Sequence, residues 1–258
     1  MNKKPDLKGL KVLITRPAHQ AAATCDLIEQ HGGIAHQFPV LEISATQNLK
    51  EVNTVISHLD DFDIAIFISP NAVTYACKLI DHPPKAFHSI KLAAVGKGTQ
   101  NALLQFGLTT DILPADEYHS EALLAMPALH AVTGKKIIIF RGERGRTLIA
   151  DTLRQRGALV KYAEVYRRKQ PQGNTHCLLN LKIDMIVVTS NESLHNIFNM
   201  TIETDKEWLL NMPLVVFSHR TAKLAQSLGF IHPARITKVA SNEGLIETLN
   251  MDGIKPPK

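Results

Sequence analysis

Apolar residues in this chain come in short unbroken runs, separated by polar loops and by stretches of helical spacing. The runs stand at residues 12–14, 64–68, 92–95, 137–140, 185–188 and 214–217, and most are rich in Val and Ile. Runs without polar interruption predict strands buried on both faces, as in a parallel sheet, because a strand with one wet face would alternate. Each leads into a short polar or glycine-containing loop and then into helically spaced apolar residues. Ala21 to Ala23 with Leu27 and Ile28 form one such stretch, Ala102, Leu103, Leu104 and Phe106 a second, and Leu148, Ile149 and Leu153 a third. Gly33, Gly107, Gly157 and Gly229 fall where helices should stop. Strand, loop, helix, glycine, strand is the unit of an open doubly wound α/β sheet.

The units recur in a fixed order. Residues 9–43 match 134–168 (module A), 63–80 match 184–200 (B), and 92–125 match 214–247 (C), so the chain reads A-B-C-A-B-C. Gly9-Leu10-Lys11-Val12-Leu13-Ile14-Thr15-Arg16 stands against Gly134-Lys135-Lys136-Ile137-Ile138-Ile139-Phe140-Arg141. Asp63-Ile64-Ala65-Ile66-Phe67-Ile68-Ser69 stands against Asp184-Met185-Ile186-Val187-Val188-Thr189-Ser190. Such a repeat is far too long for a solenoid and predicts two similar doubly wound α/β domains. Two partitions satisfy it. The chain divides in sequence, or the extended segments that follow each module A pair as a two-stranded hinge. In the second case the hinge strands are 39–42 and 164–167. One domain is then 1–38 with 168–258, and the other is 43–163. Each domain holds one A, one B and one C either way, so the repeat alone does not choose.

Composition narrows the function classes. A 258-residue, 28.5 kDa chain that is 45% hydrophobic has material for two ordinary cores. The net charge of +5 and pI of ≈ 9.1 suit an anionic ligand, but Lys and Arg are scattered and form no stripe, which argues against nucleic acid. Cys25, Cys77 and Cys177 are odd in number and have no Cys-x-x-Cys spacing, so a reduced intracellular setting is expected, with no zinc or disulfide scaffold. The polar start and the lack of an apolar run of about 18 residues predict a cytoplasmic protein with no membrane segment.

In open α/β sheets ligands gather beyond the carboxyl ends of the strands. Those positions here are rich in small polar groups: Thr15-Arg16-Pro17, Arg141-Gly142-Glu143, Ser69-Pro70-Asn71, Thr189-Ser190-Asn191, Gly96-Lys97-Gly98-Thr99 and Ser218-His219-Arg220-Thr221. Any single Ser, Thr or Asn there is explained as a helix N-cap. Six such loops facing one cleft between two domains would make a binding site. The twelve histidines form no spaced metal motif, and neither Gly-x-Ser-x-Gly nor a phosphate loop ending in Gly-Lys-Ser/Thr occurs. Orientation of an anionic substrate, helped by one or two proton donors, fits better than covalent or metal catalysis.

With these loops in place the chain resembles the uroporphyrinogen-III synthase family. The resemblance runs through Leu13-Ile14-Thr15-Arg16-Pro17, Phe67-Ile68-Ser69-Pro70-Asn71-Ala72-Val73, Ala94-Val95-Gly96-Lys97-Gly98-Thr99 and Tyr118-His119-Ser120-Glu121-Ala122-Leu123-Leu124. It continues in Ile139-Phe140-Arg141-Gly142-Glu143, Val165-Tyr166-Arg167, Val188-Thr189-Ser190 and Ser218-His219-Arg220-Thr221-Ala222. It implies the discontinuous partition and the closure of linear hydroxymethylbilane to uroporphyrinogen III, with inversion of ring D and loss of water. That route runs through an azafulvene and a spiro intermediate and needs no cofactor or metal. A monomer is implied, supplied by the enzyme that makes hydroxymethylbilane. By position, Tyr166 matches the proton donor to the leaving hydroxyl; the alternative is an aromatic packed between domains. Thr15, Arg16, Ser69, Asn71, Gly96, Thr99, Ser120, Arg141, Gly142, Ser190, Ser218 and Thr221 are the expected substrate-binding residues. Two positions depart from the family pattern: Ser218-His219-Arg220 replaces a common Gly, and Asn71 stands where some relatives carry Arg. The rival reading is a non-catalytic two-lobed binding protein for a small anion.

Overall fold

A computed structural model of the chain describes residues 6–115 and 117–250. Among these residues are ten strands. They are β1 (Lys11–Ile14), β2 (Ile34–Gln37), β3 (Glu42–Ala45), β4 (Ile64–Phe67), β5 (Lys91–Ala94), β6 (Lys136–Gly142), β7 (Leu159–Lys169), β8 (Met185–Val188), β9 (Leu214–Val216) and β10 (Arg235–Ile236). They form two five-stranded sheets, ordered β10-β9-β8-β1-β2 and β3-β7-β6-β4-β5. The chain divides into two compact units, Met1–Glu42 with Lys169–Lys258, and Ile43–Arg168. No helix among the described residues is long and apolar enough to cross a membrane.

In the first sheet β1 pairs with β2 and β8, β8 with β9, and β9 with β10, all parallel. In the second, β4 pairs in parallel with β5 and β6, and β6 with β7. β3 runs against β7. Glu42 meets Lys169 Nζ at 2.7 Å, Ser44 Oγ accepts from Arg167 Nε at 3.2 Å, and Thr46 N–H donates to Val165 O at 3.3 Å. The partner's number falls as the strand advances, which is antiparallel pairing. Residues 39–41 belong to neither strand, and Val40 is buried in the core of the first unit.

The strand order crosses the repeat: β1 of the first module A lies beside β8 of the second module B, and β6 of the second A lies beside β4 of the first B. The same carboxylate clasp joins both pairs. Asp63 Oδ2 accepts the Lys136 N–H at 2.8 Å, and Asp184 Oδ2 accepts the Lys11 N–H at 2.8 Å. In return, the Asp63 N–H donates to Lys136 O and the Asp184 N–H to Lys11 O. Each module B thus fixes the register of a module A from the other copy.

Alternation along the strands gives each sheet a core on both faces. Ala65, Phe67, Ile138 and Phe140 pack with Val73, Ala76 and Leu103 of the helices Pro70–Leu79 and Lys97–Gln105. Ile64, Ile66, Ile137 and Ile139 point the other way, onto Leu123, Ile149 and Leu153 of Ser120–Leu124 and Leu148–Gln155. In the first unit Leu13, Ile186, Val188 and Val216 meet Leu194 and Ile197 of the helix Asn191–Met200. Val12, Ile14, Met185 and Val187 meet Cys25 and Ile28 of Ala18–Gln30 and Leu245 of Asn242–Leu249. Continuous apolar runs at the sheet centres are required because neither face reaches water.

Candidate functional site

An open doubly wound sheet has one crevice where successive connections leave in opposite directions, and ligands bind at the carboxyl ends of the strands there. In the first unit that point lies between β1 and β8, and in the second between β6 and β4. The residues at or just beyond the carboxyl ends of those strands are Thr15, Arg16 and Ser190 in one unit, and Ser69 with Arg141 and Gly142, the last two residues of β6, in the other.

The second unit brings three expected residues together, Ser69, Gly142 and Tyr166. Ser69 caps the helix Pro70–Leu79, its Oγ accepting the Ala72 N–H at 3.1 Å. The same Oγ lies 3.2 Å from the Tyr166 hydroxyl. Gly142 faces Tyr166 across a break in the β6–β7 register, and a Cβ on Gly142 would stand 2.6 Å from Tyr166 Cε2 and Cζ. Glycine is needed there to admit the ring, not for a special backbone angle. Tyr166 is 2% exposed, stacks on Tyr75 with centroids 5.9 Å apart, and carries the Arg168 guanidinium 5.9 Å from its ring centroid.

Arg141 adjoins this group but is already engaged. It is 3% exposed, donates from Nε to Gly142 O at 3.1 Å and from Nη1 to Arg146 O at 3.2 Å, and lies 4.5 Å over the Tyr162 ring. Glu164 approaches its Nε at 3.7 Å. A side chain at Gly145 would collide with the guanidinium. These contacts make Arg141 the fastener of the loop at 142–146.

At the end of β5, Gly96 precedes the helix Lys97–Gln105 and gives it no side-chain cap. A Cβ on Gly96 would lie 2.8 Å from Tyr118 Cβ, so this glycine makes room for Tyr118, over which Lys97 Nζ stands at 5.6 Å. Thr99 is buried inside the first turn. Asn71 is half-buried in the first turn of Pro70–Leu79. Ser120 opens a five-residue helix that is capped by His119, whose Nδ1 accepts the Ala122 N–H at 3.1 Å.

The first unit links two helix starts. Ser190 Oγ accepts the Ser193 N–H at 3.1 Å, and Ser218 Oγ accepts the Thr221 N–H at 3.2 Å. Thr221 Oγ1 lies 2.9 Å from Ser218 Oγ and donates to Asn191 Oδ1 at 2.9 Å. Thr15 is fully buried, and its hydroxyl donates to Val187 O at 2.7 Å, pinning β1 to β8. Arg16 turns elsewhere: its Nη1 donates to Thr24 Oγ1 and Asn242 Oδ1, each at 3.0 Å. Its Nε is buried and meets no acceptor among the described residues, and burial pulls the guanidinium pKa below its ordinary value. Among the described residues no group of three or more His, Cys, Asp and Glu is placed to hold a metal ion.

Sequence reasoning missed Asn191, Asn242, Tyr75 and Arg168. Asn191 lay within a recognised loop and was legible as a polar neighbour. Arg168 follows Tyr166 by two residues on β7, whereas Asn242 and Tyr75 reach their partners by tertiary contact, without a local signal.

The family described as Uroporphyrinogen-III synthase HemD matches residues 22–247. The uroporphyrinogen-III synthase of Escherichia coli K12 is 30% identical over 254 residues, spanning 93% of this chain and 100% of that protein. The Salmonella typhimurium LT2 enzyme of the same name is 31% identical over 246 residues, again 93% of this chain and 100% of its own length. Two solved structures share the fold. The uroporphyrinogen-III synthetase of Helicobacter pylori 26695 aligns with a TM-score of 0.61 at 16% identity, over 92% of this chain and 97% of that one. A mutant uroporphyrinogen III synthase from the extremely thermophilic bacterium Thermus thermophilus aligns with a TM-score of 0.59 at 18% identity, over 92% and 96%.

Proposed function

The chain belongs to the uroporphyrinogen-III synthase family, and on that premise we propose how its residues close hydroxymethylbilane to uroporphyrinogen III, inverting ring D and losing water. The pair Ser69–Tyr166 carries the reading. As the hydroxymethyl C–O bond breaks, the pyrrole nitrogen's electron pair pushes the oxygen out. A proton must reach that oxygen for water to leave and the azafulvene to form.

Tyr166 is too enclosed to meet substrate with its ring, whereas Ser69 is half-exposed at the end of β4. The proton passes from the Tyr166 hydroxyl to Ser69 Oγ, as the Ser69 proton passes to the leaving oxygen. The Ala72 N–H on Ser69 and the positive end of the helix Pro70–Leu79 favour the negative charge that develops. The substrate's carboxylates are taken by the loop residues Asn71, Gly96, Ser120, Ser190 and Ser218 and by Arg16, whose buried Nε meets no acceptor among the described residues. Thr15, Thr99, Arg141, Gly142 and Thr221 shape those loops from behind.

The reading extends to a cytoplasmic monomer that needs no cofactor and is supplied by the enzyme producing hydroxymethylbilane. Its three unpaired cysteines suit a reducing compartment. A packing role for Tyr166 is the second reading, favoured by its 2% exposure and its stacking on Tyr75.

Incubation with hydroxymethylbilane should yield the type III isomer; formation of the symmetric type I product alone rejects the activity. Tyr166→Phe and Ser69→Ala should each lower kcat by about a hundredfold with KM changed little. A near-normal kcat in Tyr166→Phe assigns the tyrosine to packing.

A further inference from the structure

The second sheet is least covered at the start of β7. β3 reaches only the far half of β7, near Val165, Arg167 and Lys169, so residues 159–163 have no strand on their outer side. Leu159 and Lys161 share a face with Ala163, because side chains alternate along a strand. That face is covered in part by the helix Leu49–Ile56 and the short turn Leu59–Asp61. The cover stops early. Leu159 is left 61% exposed in the lining of a groove of ≈ 610 Å³, a volume within the roughly 300–1,000 Å³ of small-molecule sites.

The groove is lined by both apolar and cationic side chains. Phe62 and Leu159 supply apolar surface, and Lys136, Lys161 and Arg154 bring three cations against the single carboxylate of Asp61. Nearby ion pairs engage Lys135 with Asp63 and Arg154 with Asp151. Lys136 and Lys161 are in no ion pair among the described residues. Arg154 also donates from Nη2 to Val160 O at 3.1 Å, which occupies an outward carbonyl of the open edge and disfavours the addition of a peptide strand.

The geometry points to a binding site for a small organic anion with a ring-sized apolar body. Its carboxylate or sulfonate lies on Lys136 and Lys161 and its body on Leu159 and Phe62. The groove lies at the amino ends of β6 and β7, whereas the loops assigned to substrate follow the carboxyl ends. Occupation of the groove therefore leaves those loops open, and the site stands independently of the reaction proposed above.

The probe is 8-anilinonaphthalene-1-sulfonate titrated into the full chain, with neutral N-phenyl-1-naphthylamine as its uncharged counterpart. The sulfonate should saturate one site. The pair Lys136→Glu with Lys161→Glu should weaken it about tenfold while moving the neutral dye little, as expected when exposed charge contacts are reversed. Leu159→Asp should weaken both dyes, and the urea unfolding midpoint should hold in every variant. Lys161→Glu alone serves if the double variant folds poorly. Sulfonate affinity equal to that of the parent in Lys161→Glu and Leu159→Asp overturns the site, as does equal loss of both dyes in the lysine variants.

Discussion

At the scale of single residues, Gly142 and Tyr166 form a lock whose two parts are far apart in their demands. The glycine's missing side chain is the space the tyrosine ring fills. Gly142→Ala should force the ring to shift, lowering stability by about 1–3 kcal/mol, the usual penalty for overpacking a tight site. Urea unfolding checks this. In a Tyr166→Ala background the same change should cost much less, and equal costs in the two backgrounds would rule out the lock. The polar loop residues were legible from the sequence because Ser, Thr and Asn after an apolar run announce helix starts. Their individual roles were not. Arg141 and Arg16 hold equivalent repeat positions, yet one is spent on Gly142 O, Arg146 O and Tyr162, while the other turns to Thr24 and Asn242 and keeps a buried Nε that meets no acceptor among the described residues. Only the surrounding tertiary structure separates them.

At the scale of elements, the repeated aspartates are the registering devices. Asp63 takes the Lys136 N–H and the Lys135 ammonium, and these hydrogen bonds hold its carboxyl below the usual carboxylate range. A carboxyl lowered in the folded state stabilises at pH above its unfolded value. The contribution is lost as pH falls below about 4 and through the lowered folded value. Asp63→Asn should therefore be less stable than the parent at neutral pH, and the gap should close at the acid end; a constant gap down to pH 2 would discount the clasp. Solvent exposure of this pair keeps the effect small. The strongly apolar central strands were readable as elements. β2 and β10 were not, since these two edge strands are only partly buried and have no continuous apolar run. Residues 39–41 read as extended, but they bridge β2 and β3 outside both, with Val40 committed to the first core.

At the scale of the whole molecule, the unit Ile43–Arg168 is continuous in sequence and carries its own two-faced sheet, whereas the other unit needs both chain ends. Residues 43–168 expressed alone should unfold cooperatively. Residues 1–125, which hold one complete A-B-C set in sequence, should not, because β1 would lack β8 and β4 would lack β6. Cooperative unfolding of 1–125 with native-like amide protection would reverse that expectation. The sequence by itself determined the βα units, their duplication, the helix starts and the family resemblance, because periodicity and capping are local properties written in neighbouring residues. Only the tertiary structure decided which copy of A meets which copy of B, which arginine is spent on its own loop and where the Tyr166 hydroxyl points. Both copies offer the same apolar strand faces, so local pattern satisfies either pairing equally. The choice is made by contacts between residues far apart in sequence, Lys11 with Asp184 in one sheet and Lys136 with Asp63 in the other.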